Sequence, residues 1–352
     1  MVKLLETLTQ TPGIPGREEK IAQLVQEEMN KFCDSVKVDA MGNVIGYKQG
    51  TGKLGKSPKG RIMLAGHMDE IGFVVKHIDK DGFIRIHPLG GFDARTLMGQ
   101  KVTVHGKQPL PGNLALATKP IHVLTEEEKK KPPKIKDYFI DVGLPADEVK
   151  EHVQIGDMVT LERAFSQVGN TYTSKALDDR VGVYLMLEAV KRLSEHQADL
   201  YLVATTQEEV GLRGALTSAY GVEPHVGIAL DVTIAADTPG SEEAEQITKL
   251  GEGAAIKLLD SASISNYRLV QKFRDMAEQK NIAYQMEILS RGGTDAGSIQ
   301  MTRAGVPVIT LSVPCRYVHS VNEMIHRDDL EASVKLLSSF LEEGDLAEFF
   351  TG

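Results

Sequence analysis

Five places in the chain set acidic or imidazole side chains beside an apolar run. Arg61-Ile62-Met63-Leu64-Ala65-Gly66 reads as a buried strand and runs into His67-Met68-Asp69-Glu70. Residues two apart in extended backbone share a face, so His67 and Asp69 can act together. A carboxylate on one imidazole nitrogen frees the other for a metal ion and fixes the ring. Leu200–Thr205 leads to Gln207-Glu208-Glu209, Val226–Leu230 leads to Asp231, and Val308–Val313 leads through Pro314-Cys315-Arg316-Tyr317-Val318 to His319. Asp178 stands at the start of a helical pattern. Taken singly, each is as readily a cap, a solvated pair or a histidine satisfied by a neighbouring acid. Together they crowd carboxylates into the crevice beyond the strand ends, where burying them unpaired is costly. Divalent cations reconcile such a cluster. Two histidines with several carboxylates and no cysteine suit zinc, cobalt or manganese. Two ions sharing one carboxylate make a hydrolytic site. Neighbours on a strand face opposite sides, so Glu208 and Glu209 can divide the work, one holding metal and one accepting a proton from water.

The elements that must position these residues fall into three stretches. In residues 1–69, Pro15-Gly16-Arg17-Glu18-Glu19 opens a helix with acids in its first turn. Ile21, Leu24, Val25, Met29 and Phe32 give it one apolar face. Val36 to Tyr47 reads as two short strands joined at Met41-Gly42-Asn43. Residues 70–165 form a small β-rich module. Phe73–Ile78 and Phe83–His87 flank a hairpin turn at Asp79-Lys80-Asp81-Gly82, and Val102–His105, Tyr138–Val142 and Met158–Leu161 are further strands. Only Ala146–Val153 looks helical there. In residues 166–352 helices alternate with strands: a buried helix from Asp178 to Leu193, an amphipathic one over Tyr267–Lys280, a half-exposed strand at Tyr284–Ile288 and a closing helix from Asp328 to Glu342. The alternation predicts an α/β fold with a mixed, largely parallel sheet flanked by helices and interrupted by the inserted module.

Two stretches imitate function. Gly50–Ser57 matches the phosphate-binding loop pattern, but that chemistry needs a helix directly after it, and Pro58-Lys59-Gly60 and a strand come instead. It reads as a solvated surface loop. Glu126-Glu127-Glu128-Lys129-Lys130-Lys131, closed by Pro132-Pro133, reads as a solvated loop too. The 49 acidic against 40 basic residues, net −9, leave no basic excess for a phosphate backbone, so nucleic acid is not an expected partner. Cys33 and Cys315 make neither a disulfide framework nor a thiolate zinc site. No run of about 18 apolar residues occurs and Met1–Glu6 is too polar for a signal-peptide core, so the expectation is a cytoplasmic protein with no membrane partner.

With these residues assembled, the chain resembles the M42 family of metallo-aminopeptidases, the glutamyl aminopeptidase, endoglucanase M and TET peptidase group. The matching segments are Ala65–Gly72, Lys175–Arg180, Thr206–Ala215, Asp231-Val232, Arg291–Gly297 and His319-Ser320, in the family's order. The resemblance implies that His67 and Asp231 hold one metal ion, that Glu209 and His319 hold the other, and that Asp178 bridges them. It makes Glu208 the general base and Asp69 the residue that orients His67. It implies a cis peptide bond at Asp178–Asp179, a PDZ-like inserted domain used for dimerisation, and a tetrahedral dodecamer built from dimers. The function expected is removal of N-terminal residues from peptides with free N-termini, by attack of water bound to two Zn2+ or Co2+ ions. Arg291, Gly293 and Thr294 are candidates for contact with substrate. Arg291 and Arg316 could each favour acidic side chains or form a structural ion pair. The alternatives are a related di-metal deacylase or carboxypeptidase, and a non-catalytic peptide-binding shell. Glycoside hydrolysis by paired acids needs no metal.

Overall fold

The computed structural model describes residues 2–51, 60–119, 121–242, 245–343 and 346–349. From Gly52 on, the Gly50–Ser57 loop lies outside the described residues. The chain opens with helices α1 (Val2–Gln10) and α2 (Glu19–Met29), whose Leu5, Leu8, Ile21, Val25 and Met29 are fully buried. The sequence pattern does not announce α1, because nine residues carry too few apolar repeats to stand out. β1 (Ser35–Val38) and β2 (Val44–Lys48) pair antiparallel about the Met41-Gly42-Asn43 turn, as expected. β3 (Arg61–His67) then enters the middle of the sheet. Its Ile62 and Leu64 pack on one face and its Met63 and Ala65 on the other, the alternation of a strand covered on both sides.

After β3 the chain leaves the sheet for a closed antiparallel barrel. Its strands are β4 (Gly72–Ile78), β5 (Ile84–Leu89), β6 (Lys101–His105), β7 (Pro109–Leu116), β8 (Tyr138–Asp141) and β9 (Met158–Leu161), in the order β4-β5-β8-β7-β6-β9. Phe73, Val104, Leu114, Ile140 and Val159 fill it. β7 escapes the sequence reading because Pro109 and Pro111 argue against a strand. Both fall where β7 has β6 as its neighbour, since β8 meets only residues 113–116. The charge run is not a bare loop. Thr125 and Glu128 form a capping box on a short exposed helix, α3 (Glu126–Lys129), with acids in its first turn. α4 (Ala146–His152) lies where its pattern put it.

The return path gives β10 (Ser166–Val168), β11 (Thr171–Ser174), α5 (Leu177–Lys191), β12 (Asp199–Thr205), α6 (Arg213–Val222) and β13 (Val226–Ile234). It continues through β14 (Ala254–Leu259), α7 (Tyr267–Gln279), β15 (Tyr284–Ile288), α8 (Asp295–Gln300), β16 (Val308–Arg316), β17 (Glu323–His326) and α9 (Arg327–Glu343). With β1, β2 and β3 these strands form an eleven-stranded sheet. It is mixed rather than largely parallel: among the described residues only β12-β3-β13-β16 and the β14–β15 pair run parallel as strands. Hairpin connections such as β1–β2 and β10–β11 make the flanks antiparallel, the only pairing a short turn allows. α5 packs on β3 and β13 beneath α1 and α9, and α6 and α8 cover the opposite face. The four adjoining parallel strands therefore end along one edge of the sheet, and the candidate residues gather there.

Candidate metal centre and active site

His67 is the last residue of β3 and is buried. Its Nδ1 lies 3.0 Å from the main-chain oxygen of Asp69, which can only accept, so Nδ1 carries the proton and Nε2 faces the acids. Nε2 is 3.0 Å from Asp178 Oδ1 and 3.9 Å from Glu208 Oε2. The other Asp178 oxygen is 3.5 Å from His319 Nε2, and Glu209 Oε2 is 3.4 Å from the same nitrogen. Asp178 thus stands between the two imidazoles. Two sets offer donor atoms all within 4.8 Å of one another: His67, Asp178 and Glu209, and His67, Asp179 and Asp231. Asp179 is already engaged, for its carboxylate accepts from the main-chain N–H of His67 at 3.1 Å and of Gly182 at 2.9 Å. A side chain at position 182 would collide with that carboxylate, so glycine is what lets α5 sit there. The Asp178–Asp179 peptide is cis.

Three residues differ from the sequence expectation. Glu208 and Glu209 lie on the turn after β12 and not on a strand, so opposite-face alternation does not separate their roles. Asp231 sits within β13 rather than past its end. The carboxylate of Asp69 is turned towards the glutamates. It accepts from the main-chain N–H of Glu208 at 3.1 Å and of Glu209 at 3.2 Å, and its nearer oxygen is 3.6 Å from His67 Nδ1.

The electrostatics call for cations. Burial pushes the Asp231 and Glu208 carboxyls well above the usual range. Asp178 adds to this for Asp231; for Glu208, His67 opposes the rise while Asp231, Asp295 and Glu209 reinforce it. Burial alone would also raise Asp178, yet His319 and His67 hold it below the ordinary carboxylate value. Burial opposes the charged form of His319, but Asp178 and Glu209 push it up to about 12. Glu209 Oε1 is buried without a hydrogen-bond partner. An orphaned carboxylate oxygen among two imidazoles and surplus acids is a donor set that fits divalent metal ions.

Sequence reasoning missed the residues that hold this centre from behind. Glu323, buried on β17, accepts from the main-chain N–H of Asp178 at 3.0 Å and of His319 at 2.9 Å. No motif marks it; a glutamate four residues past His319 looks like any surface acid. Glu18 accepts from Gly16 N–H at 2.9 Å and from Gln207 N–H at 3.1 Å. The buried Asp295 accepts from the Thr205 hydroxyl at 2.5 Å.

A cavity of about 490 Å³ runs from His67, Glu208 and His319 to Ala262, Leu289 and the Arg291–Thr294 segment. Arg291 is exposed and Gly293 lines the wall, whereas the Thr294 hydroxyl is engaged by Asp260 at 3.4 Å and Thr310 at 3.1 Å. Lys257, which the sequence did not single out, also lines the cavity and is paired with Glu287 at 2.7 Å. Arg316 forms an ion pair with Asp237 at 2.6 Å, the structural one of its two readings.

A mixed α/β sheet with a histidine and carboxylate crevice at the end of its parallel strands defines a metallohydrolase class of site. Residues 42–336 match the family described as M42 glutamyl aminopeptidase, and the chain belongs to that family of aminopeptidases. The lysyl aminopeptidase of Pyrococcus furiosus is 35% identical over 97% of this chain and 96% of its own. Aminopeptidase APDkam598 of the archaeon Desulfurococcus kamchatkensis is 41% identical, with a TM-score of 0.93 over 99% of this chain and 96% of that one. The Pyrococcus horikoshii TET1 peptidase, which can assemble into a tetrahedron or a large octahedral shell, is 35% identical, with a TM-score of 0.85 over 97% and 99%. The protein is an aminopeptidase. Among the described residues no helix is long and apolar enough to cross a membrane.

Proposed function

We propose that this aminopeptidase removes the first residue of peptides with free N-termini at a two-ion centre, with Glu208 as general base. His67, Asp231 and Asp178 would hold one Zn2+ or Co2+ ion, and Glu209, His319 and Asp178 the other. When bound, such ions supply the Lewis-acid charge that polarises a carbonyl and acidifies water. The observation that carries the reading is the turn suspended from Asp69. That one carboxylate fixes the backbone of both glutamates, so Glu209 points at His319 and Asp178 while Glu208 is left 3.9 Å from His67 Nε2, beside the cavity. Glu208 takes a proton from the attacking water on its carboxylate and passes it to the nitrogen of the departing amine. Its position suits a base, because the carboxylate is nearly enclosed and lies on the cavity wall, where a proton taken from water stays within reach of the leaving nitrogen. The surplus of carboxylates also favours a substrate whose first group is an ammonium.

The side chain of the first residue fits the 490 Å³ cavity, between Ala262 and Leu289, with Arg291 at the rim. Lys257 is neutralised by Glu287 and does not by itself select an acid. The family description says glutamyl and one relative is lysyl, so first-residue preference is set by these walls and not by membership alone. The TET1 relative, which can assemble into a tetrahedron or a large octahedral shell, supports a closed assembly for this chain; in the proposed tetrahedral dodecamer the barrel would be the dimerisation module and the protein would be cytoplasmic. The test is a panel of peptides with free and with blocked N-termini, assayed with added Zn2+ or Co2+ and with chelator. Activity confined to free N-termini and lost with chelator is expected. Glu208→Gln should lose about 100-fold or more in kcat at unchanged metal content. An active variant refutes the assignment of the base.

A further inference from the structure

A second cavity, of about 590 Å³, opens between the barrel and the turn after β16. Phe92, Thr96 and Gln100 line it from the barrel side, and Tyr317, Val318 and Val321 from the turn. It shares Val318 and His319 with the first cavity, so the two spaces meet at that imidazole. His319 Nε2 faces Asp178 and Glu209, while its Nδ1 faces the barrel, where a Cβ on Gly91 would stand 3.1 Å away. Gly90, at φ 91°, comes against the other ligand candidate: a Cβ there would press on Ile71 and lie 3.2 Å from Glu209 Oε2. Two successive glycines therefore let the inserted barrel rest directly on the side chains of the metal centre. The next residue, Phe92, is locked by stacking on Phe73, with ring centroids 4.4 Å apart and planes at 17°. Asp93 reaches the same cavity but pairs with Arg95 at 2.5 Å, so the walls are close to neutral.

We propose that this cavity is the subsite for the residue on the far side of the scissile bond, and that it takes a neutral side chain of aromatic size. The inference rests on the aminopeptidase reading. With the first side chain between Ala262 and Leu289 and the scissile bond beside Glu208, the departing peptide leaves past His319 and enters the second cavity. Phe92 and Tyr317 offer it aromatic surface. An acidic second residue would instead bury its charge against lining residues that include no lysine or arginine, Asp93 being already taken by Arg95. The barrel is thereby a working wall of the active site.

The test holds the first residue of the substrate fixed and varies its second. An amino-acid amide releases only ammonia and places nothing in the second cavity; a dipeptide ending in phenylalanine fills it. Gln100→Trp should obstruct the space from the barrel side. Gln100 belongs to neither the metal set nor the glutamate turn, and its side chain makes one exposed hydrogen bond, to Thr96 O. The expected result is a fall of about tenfold or more in kcat/KM for the dipeptide, mostly in KM, with the amide within about twofold of wild type. Wild type should also prefer phenylalanine over glutamate at the second position, and Gln100→Ala should keep that preference. A parallel loss on amide and dipeptide, or no loss on either, overturns the subsite. Wild-type failure on both substrates overturns the aminopeptidase reading itself, and a loss confined to the dipeptide cannot be mistaken for that failure.

Discussion

Asp69→Asn separates two ways in which one buried acid can serve this centre. If Asp69 works by orienting His67, the variant should lose metal. The geometry argues otherwise. The main-chain oxygen of Asp69 makes the short contact to His67 Nδ1, and that atom survives the substitution, whereas the carboxylate carries the main-chain N–H groups of Glu208 and Glu209 at 3.1 and 3.2 Å. Asparagine keeps one acceptor oxygen and presents an amide NH2 where the second N–H points. One charge-assisted hydrogen bond is lost, worth about 1.5–3 kcal/mol. If that energy is lost from the transition state, kcat falls about 10- to 150-fold, at about 1.4 kcal/mol per tenfold. The assay is kcat on a free-amine peptide at saturating metal, together with metal affinity by calorimetry. We expect the loss in kcat with affinity changed by less than about threefold. A tenfold loss of affinity with normal kcat in the metal-saturated variant would refute the reasoning and return Asp69 to the imidazole.

The remaining predictions concern the other supporting acids and the barrel. Glu323→Ala leaves the buried N–H of Asp178 and the part-buried N–H of His319 without their acceptor, at about 1–3 kcal/mol for the first and less for the second, and should weaken metal binding by about 10- to 100-fold; thermal unfolding and metal titration report the two effects. Burial raises Glu18 from 4.5 to about 7 in the fold, against the hydrogen bonds from Gly16 and Gln207. A folded value above the unfolded one favours the fold at low pH, and this contribution is lost as pH rises through about 7. Glu18→Gln, which keeps an acceptor, should therefore match wild type near pH 4.5 and exceed it by up to about 3 kcal/mol at pH 8, at about 1.4 kcal/mol per unit. A difference that is flat across that range, measured by denaturant melts at constant metal, would contradict it. Glu208→Gln and Gln100→Trp test the base and the second cavity separately.

What the sequence revealed and what it concealed divide along a physical line. His67, Asp178, Glu208, Glu209, Asp231 and His319 were legible because such side chains at the mouths of apolar strands are costly without a cation or a proton to share. Their supports were legible only in part: Asp69 was singled out, but for His67 and not for the glutamate turn, and Glu323 not at all. Asp69 meets Glu208 across 139 positions, and Glu323 meets Asp178 across 145, in both cases through main-chain N–H groups that every residue but proline carries. Side-chain identity cannot advertise a partner that is only backbone. The same divide holds for the fold. The parallel centre could be read from the alternation of strands and helices, but the antiparallel flanks depend on short strands whose pairing nothing local announces. β7 was hidden by its own prolines.

The acids of the site therefore belong to two populations with opposite duties. Asp178, Glu208, Glu209 and Asp231 leave oxygens towards the crevice, and their neutrality depends on what binds there. Asp69, Asp179, Glu18 and Glu323 direct their oxygens at main-chain N–H groups of the segments that carry the first population. A carboxylate that accepts two N–H bonds fixes a turn more strongly than a neutral acceptor could, and asks nothing of the metal ions. The loops after β12 and β16 and the start of α5 are accordingly held by the fold itself. That is the economical arrangement for a hydrolytic centre, because preorganised ligands need not be gathered when a cation arrives or a substrate binds. It also accounts for the barrel's position. A module resting against Glu209 and His319 through Gly90 and Gly91 adds a wall to loops already fixed from behind, so a large insertion between β3 and α5 borders the cleft without carrying any of the proposed ligands.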